Sequence, residues 1–134
     1  MAEAIAFPDV EALFQSYLTA ELGNRGDTAT VHTAVPNPRP NRFVLVPRLG
    51  GQRRNTVVDD ATIGVECWAA TNGQAQALAQ LVRALIHAAQ GTTLAGVQIY
   101  RVQEFAGPAR LPDPESHQAR YVLTVSVSVR GTAI

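Results

Sequence analysis

A chain of 134 residues with 46% apolar and 16% charged side chains can bury roughly two-thirds of its unfolded surface in one core, which excludes a disordered chain. Its 11 basic and 11 acidic residues cancel, so no whole-molecule field draws it to nucleic acid or to an anionic membrane. The single cysteine, Cys67, excludes an internal disulfide and a cysteine zinc site.

The first periodic segment covers residues 8–22, where Val10, Leu13, Phe14, Tyr17 and Leu18 recur at helical spacing. Pro8 suits the first helical position, Asp9 and Glu11 complement the positive end of the dipole, and Gly23 and Asn24 are expected to stop the helix. Residues 28–35 are rich in β-branched side chains and read as a strand running into Pro36, Pro38 and Pro40. A second strand is expected over 42–46, with Phe43 and Leu45 on one face and Val44 and Val46 on the other. Gly50 and Gly51 then open what reads as a polar, mobile loop carrying Gln52, Arg53, Arg54 and Asn55.

From 61 to 68 the alternation is strict. Ala61, Ile63, Val65 and Cys67 share one face, and Thr62, Gly64, Glu66 and Trp68 share the other. Thr71 and Gln74 form a capping-box signature before a helix with Leu78, Leu81, Val82, Leu85, Ile86 and Ala89 on one side, closed by Gly91. Residues 97–102 read as a strand, followed by an irregular stretch through Gly107, Pro108, Pro112, Asp113 and Pro114. The last strand sets Tyr121, Leu123, Val125, Val127 and Val129 against Val122, Thr124, Ser126, Ser128 and Arg130.

The expected fold class is therefore α+β: one domain over residues 1–134, with a largely antiparallel sheet of about five strands and two helices on one face, in the order αβββαββ. Two helices cover only one face. Val44, Val46, Trp68, Tyr100, Val102 and Val122 are expected on the other, covered either by a loop from within residues 107–117 or by another chain.

No residue pattern points to catalysis. His32, His87 and His117 fall on a strand, a helix and a loop without ligand spacing, so no metal or other cofactor is expected. Cys67 alternates with core residues and has no activating partner in sequence, and no nucleophile elbow surrounds any serine. A phosphate loop at Gly50 and Gly51 would need a lysine, and the chain has none. Asp59 and Asp60 point to opposite faces of a strand and make a poor acid–base pair.

Charge is unevenly spread. Through Leu22 the chain carries Glu3, Asp9, Glu11 and Glu21 and no base, whereas residues 25–60 hold Arg25, Arg39, Arg42, Arg48, Arg53 and Arg54. That every base is arginine fits a GC-rich genome, and arginine also suits bidentate pairing at interfaces. The neutral total and the lack of interleaved aromatics argue against sequence-specific nucleic-acid binding by the arginine cluster. The N-terminus, with Glu3 and Asp9 around a short apolar stretch, lacks a basic start and an apolar signal core, and no apolar run reaches membrane-spanning length. The chain is expected to stay in the cytoplasm where it is made and to have no membrane partner.

Three blocks resemble the tail terminator proteins of long-tailed bacteriophages, especially those infecting actinobacteria: RFVLVPRLGGQRRNTVVDDATIGVECWA at 42–69, FPDVEALFQSYL at 7–18 and LPDPESHQARYVLTVSVSVRG at 111–131. The resemblance implies a non-enzymatic subunit of a ring, commonly a hexamer, on the head-proximal end of the tail tube. There it stops tube polymerisation and joins the head, so its partners would be itself, the major tail tube protein and a head–tail connector, with DNA free to pass through the ring. The candidate subunit or tube contacts are Arg48, Arg53, Arg54, Asn55, Trp68, Tyr100, Arg110, Asp113 and Glu115. A connector ring subunit and a small-ligand-binding ferredoxin-like domain are the alternative readings.

Overall fold

The computed structural model describes residues 3–134; Met1 and Ala2, which the expected domain and the reading of the N-terminus both include, lie outside the described residues. In chain order the elements are β1 (Ile5–Ala6), α1 (Val10–Asn24), β2 (Thr30–His32), β3 (Phe43–Leu45), β4 (Arg48–Arg53), β5 (Val58–Ala69), α2 (Asn72–Ala88), β6 (Thr93–Leu94), β7 (Val97–Arg110), β8 (Ala119–Arg130) and β9 (Thr132–Ala133). Seven strands form one curled sheet in the order β2-β3-β5-β8-β7-β6, with β4 also paired to β5, while β1 and β9 form a separate two-stranded ribbon. All pairings are antiparallel except β2 with β3. The α+β class, the two helices and the mainly antiparallel sheet agree with the sequence; among the described residues the main sheet has seven strands in place of about five, and the two-stranded ribbon is unexpected from the sequence.

Both helices lie against one face of the sheet. The Asp9 carboxylate accepts from the Ala12 amide at 3.1 Å, so Asp9 is the cap of α1 and Pro8 precedes it, outside the first helical position expected for it. The helix also runs through Gly23 and Asn24, and Gly26 adopts the positive φ that follows its end. Val10, Phe14, Leu18 and Leu22 are buried, and the Tyr17 hydroxyl donates to the Leu85 carbonyl at 2.7 Å, joining the two helices. Thr71 caps α2 by accepting from the Gln74 amide at 3.2 Å. Leu78, Val82, Leu85 and Ile86 of α2 pack on Ile63, Val65, Leu123, Val125 and Val127 in one core.

Three expectations about the sheet are corrected. The stretch at Gly50 and Gly51 is strand β4, not a loop: both glycines take positive φ, and a side chain at Gly51 would collide with the Asp60 carbonyl. Strand β7 does not stop at Val102 but continues through Pro108 to Arg110, with register shifts after Ile99, Glu104 and Ala106. Among the described residues no strand pairs with the outer side of β7 beyond Gln98, and Pro108 sits unpaired in the irregularity between Ala106 and Ala109, where a bulge accommodates it and bends the strand. Finally, Val44, Val46 and Val102 belong to the helix-side core, because Val44 pairs with Cys67 while Phe43 pairs with Trp68. Phe43, Leu45 and Trp68 form the apolar cluster of the other face.

Candidate interaction surface

The arginines of the β4–β5 hairpin all find partners within the chain. Arg48 donates to the Asp59 carboxylate at 2.8 Å and to the Gly50 carbonyl at 2.9 Å, while its backbone amide donates to Glu11 at 2.6 Å. Arg53 caps the turn by donating to the carbonyls of Asn55 and Thr56 at 3.0 and 2.7 Å, and its guanidinium lies 5.3 Å from the Phe7 ring centre. Arg54 pairs with Asp60 at 2.9 Å. The Asn55 side-chain oxygen accepts from the amides of Val57 and Val58, so this residue shapes the turn. Together with Arg42, which forks onto Asp27 at 2.9 and 2.7 Å, these contacts pair much of the basic stretch with acids of the same chain.

Burial alone would raise the Asp60 carboxyl, but the Ser128 hydroxyl, Arg54 and Arg101 outweigh it and hold the group below its ordinary range. The hydrogen bonds from Arg42 hold Asp27 below its ordinary range in the same way. At the edge strand, Arg83 of α2 grips Glu104 of β7 at 2.7 and 2.6 Å, which lowers the Glu104 carboxyl.

Trp68, Asp113 and Glu115 lie at the other end of the sheet. Trp68 is 2% exposed; its ring stacks on Phe43 at 5.0 Å, with the guanidinium groups of Arg39 and Arg120 5.5 and 5.2 Å from its centre. Arg39 is held by Ser116 at 2.8 Å and Asp113 at 3.4 Å, and Gln118 donates to the Asn41 carbonyl at 3.3 Å. The segment after β7 and the proline-rich segment before β3 are thus tied together over Trp68. The Ser116 hydroxyl and amide, with Arg39, hold Asp113 below its ordinary range. Glu115 is exposed. Tyr100 is exposed and accepts from Arg130 at 3.1 Å near the opposite end of the sheet, about 33 Å of strand from Trp68. Arg110 is exposed at the end of β7. The nine candidates therefore do not form one patch.

Sequence reasoning missed the exposed apolar side chains Leu49, Phe105 and Leu111, which are 60%, 58% and 53% exposed. All three lie in stretches punctuated by glycine or proline, and that punctuation reads as loop. The signal available was the run FAGPARLP at 105–112, which carries one charge. A depression of about 600 Å³ lies beneath the terminal ribbon, lined among others by Ile5, Phe7, Val57, Val97 and Gly131, with Glu3 and Arg130 as its charged groups. Among the described residues no group of three or more His, Cys, Asp or Glu side chains is placed to hold a metal ion. Burial raises the Cys67 thiol far above its ordinary value and keeps it protonated. No helix among the described residues is long and apolar enough to cross a membrane.

The polar groups of this small α+β domain are used in capping, turns and ion pairs, and its surface carries isolated large apolar side chains. The sequence model of the family described as phage tail termination protein matches residues 6–133, nearly the whole chain, and the chain belongs to that family. It is accordingly a non-enzymatic structural component of a bacteriophage tail. No curated protein matches it.

Proposed function

We propose that this protein forms a ring of identical subunits, commonly six, on the head-proximal end of the tail tube. The ring stops addition of tube subunits and offers its far side to the head–tail connector. The family match over residues 6–133 carries this reading, and the exposed Leu49, Phe105 and Leu111 support it as anchors for neighbours. A head-to-tail contact between unlike surfaces closes into a ring when its rotation permits. The domain comprises residues 1–134. Of the candidate contacts, Arg53, Arg54, Asn55, Tyr100, Arg110 and Glu115 act directly, whereas Arg48, Trp68 and Asp113 brace the segments that present them. An arginine-only basic complement fits a long-tailed phage of a GC-rich host such as an actinobacterium. The protein is assembled in the host cytoplasm and ends in the virion, with the genome free to pass through the ring.

The test is to add purified protein to polymerising tail-tube subunits and measure tube lengths by electron microscopy. The proposal expects short tubes, each capped at one end by a ring. Unchanged lengths together with binding to the purified connector would instead assign the protein to the connector side.

A further inference from the structure

The face of the sheet turned away from the helices carries more arginines than carboxylates among the described residues. Across β5, β8 and β7 the register sets Asp60, Ser128 and Arg101 in one row and Thr62, Ser126 and Gln103 in the next. Asp60 is already engaged, by the Ser128 hydroxyl at 2.5 Å on one oxygen and by Arg54 at 2.9 Å on the other. Towards Trp68, Arg120 pairs with Glu66 at 3.2 Å. Arg101 and Arg130 are both exposed, and neither forms an ion pair with a described residue; the only partner of Arg130 among them is the neutral Tyr100 hydroxyl. Four arginines thus face two carboxylates in a chain whose total charge is zero.

We infer that this face binds a polyanion, and that the polyanion is duplex nucleic acid laid across the strands. Unpaired arginines attract phosphates, and the exposed Gln103 amide and half-buried Thr62 hydroxyl beside them can donate hydrogen bonds without demanding a base sequence, while Ser126 and Ser128 are buried beneath. A single strand would need a platform of several aromatic rings for its bases, and β7 offers only Tyr100 and Phe105 as exposed aromatic residues. The inference rests on the tail-terminator reading in one respect only, which is that a tail component meets duplex DNA.

The experiment uses the full chain and a fluorescent 30-base-pair duplex of arbitrary sequence, read by polarisation at several salt concentrations. Binding should weaken steeply with salt. The double variant Arg101→Gln/Arg130→Gln should bind at least tenfold more weakly, with a log–log salt slope lower by about 1.8, while Arg101→Lys/Arg130→Lys retains binding. Arg25→Gln removes one charge at the end of α1, away from this face, and should change little. Absence of binding at low salt, an equal loss in Arg25→Gln, or equal competition by polyglutamate or phosphatidylserine vesicles would overturn the inference. Tube length, measured separately on the same variants, reports the capping reading: capped tubes with no duplex binding would leave that reading standing and remove this one.

Discussion

Leu123 and Thr124 are neighbours on β8, yet they live on opposite faces of the sheet and in different chemistry. Leu123 is 1% exposed in the helix-side core, while Thr124 lies half-buried on the open face, opposite Gly64 of β5 and Ala106 of β7. The same alternation runs along β5, where Ile63 and Val65 serve the core and Thr62 and Glu66 face outward. One strand therefore does two jobs at a period of two residues, and substitutions one position apart should separate stability from interaction.

The largest effect is expected at Leu123→Ala, which deletes a fully packed side chain and should cost about 2–5 kcal/mol in chemical denaturation. A loss below about 1 kcal/mol would contradict the placement of the core. Next comes the Asp27–Arg42 pair, which ties the start of β3 to the turn after α1. Because the hydrogen bonds from Arg42 hold the Asp27 carboxyl below its ordinary range, its stabilisation is present above the unfolded value and is lost as pH falls through the folded one. Melting of Asp27→Asn should therefore be lower than wild type near neutrality and less sensitive to acidification from about pH 5 to about pH 2; parallel curves would contradict it. Asp113→Ala should release Arg39 and shift the emission of Trp68, the single tryptophan, while leaving the melting midpoint almost unchanged. An unaltered spectrum would mean that the two tied segments do not depend on this contact. Smallest of all, Thr124→Val on the open face should stay within about 0.5 kcal/mol of wild type.

What the sequence disclosed follows from the same alternation. Strands β5 and β8, twelve residues each and paired along their whole length, were legible because β8 has one apolar face throughout and β5 has one from Ala61 onward. Helix α2 was legible because Thr71 caps it and its apolar stripe is continuous. Strand β4 was not, since Gly50, Gly51 and two arginines are residues of loops, and their strand geometry comes from pairing with β5. The far half of β7 was hidden by Pro108, which an edge tolerates and an interior strand does not. Assigning Val44 and Trp68 to one face failed for a different reason: alternation fixes which residues of a strand share a side, whereas the register between strands fixes which side that is. The candidate surface was legible as residue types but not as pairing. Arg48 and Arg54 look free in sequence, yet Asp59 and Asp60, 11 and 6 residues away, receive them.

The capping role is tested most directly by electron microscopy of lysates from phage lacking this gene, with and without the protein supplied in trans. Tails left unjoined or overlong without it, and restored to uniform length and attached to heads with it, are the predicted result. Tails of normal, uniform length already attached to heads in its absence would contradict the account.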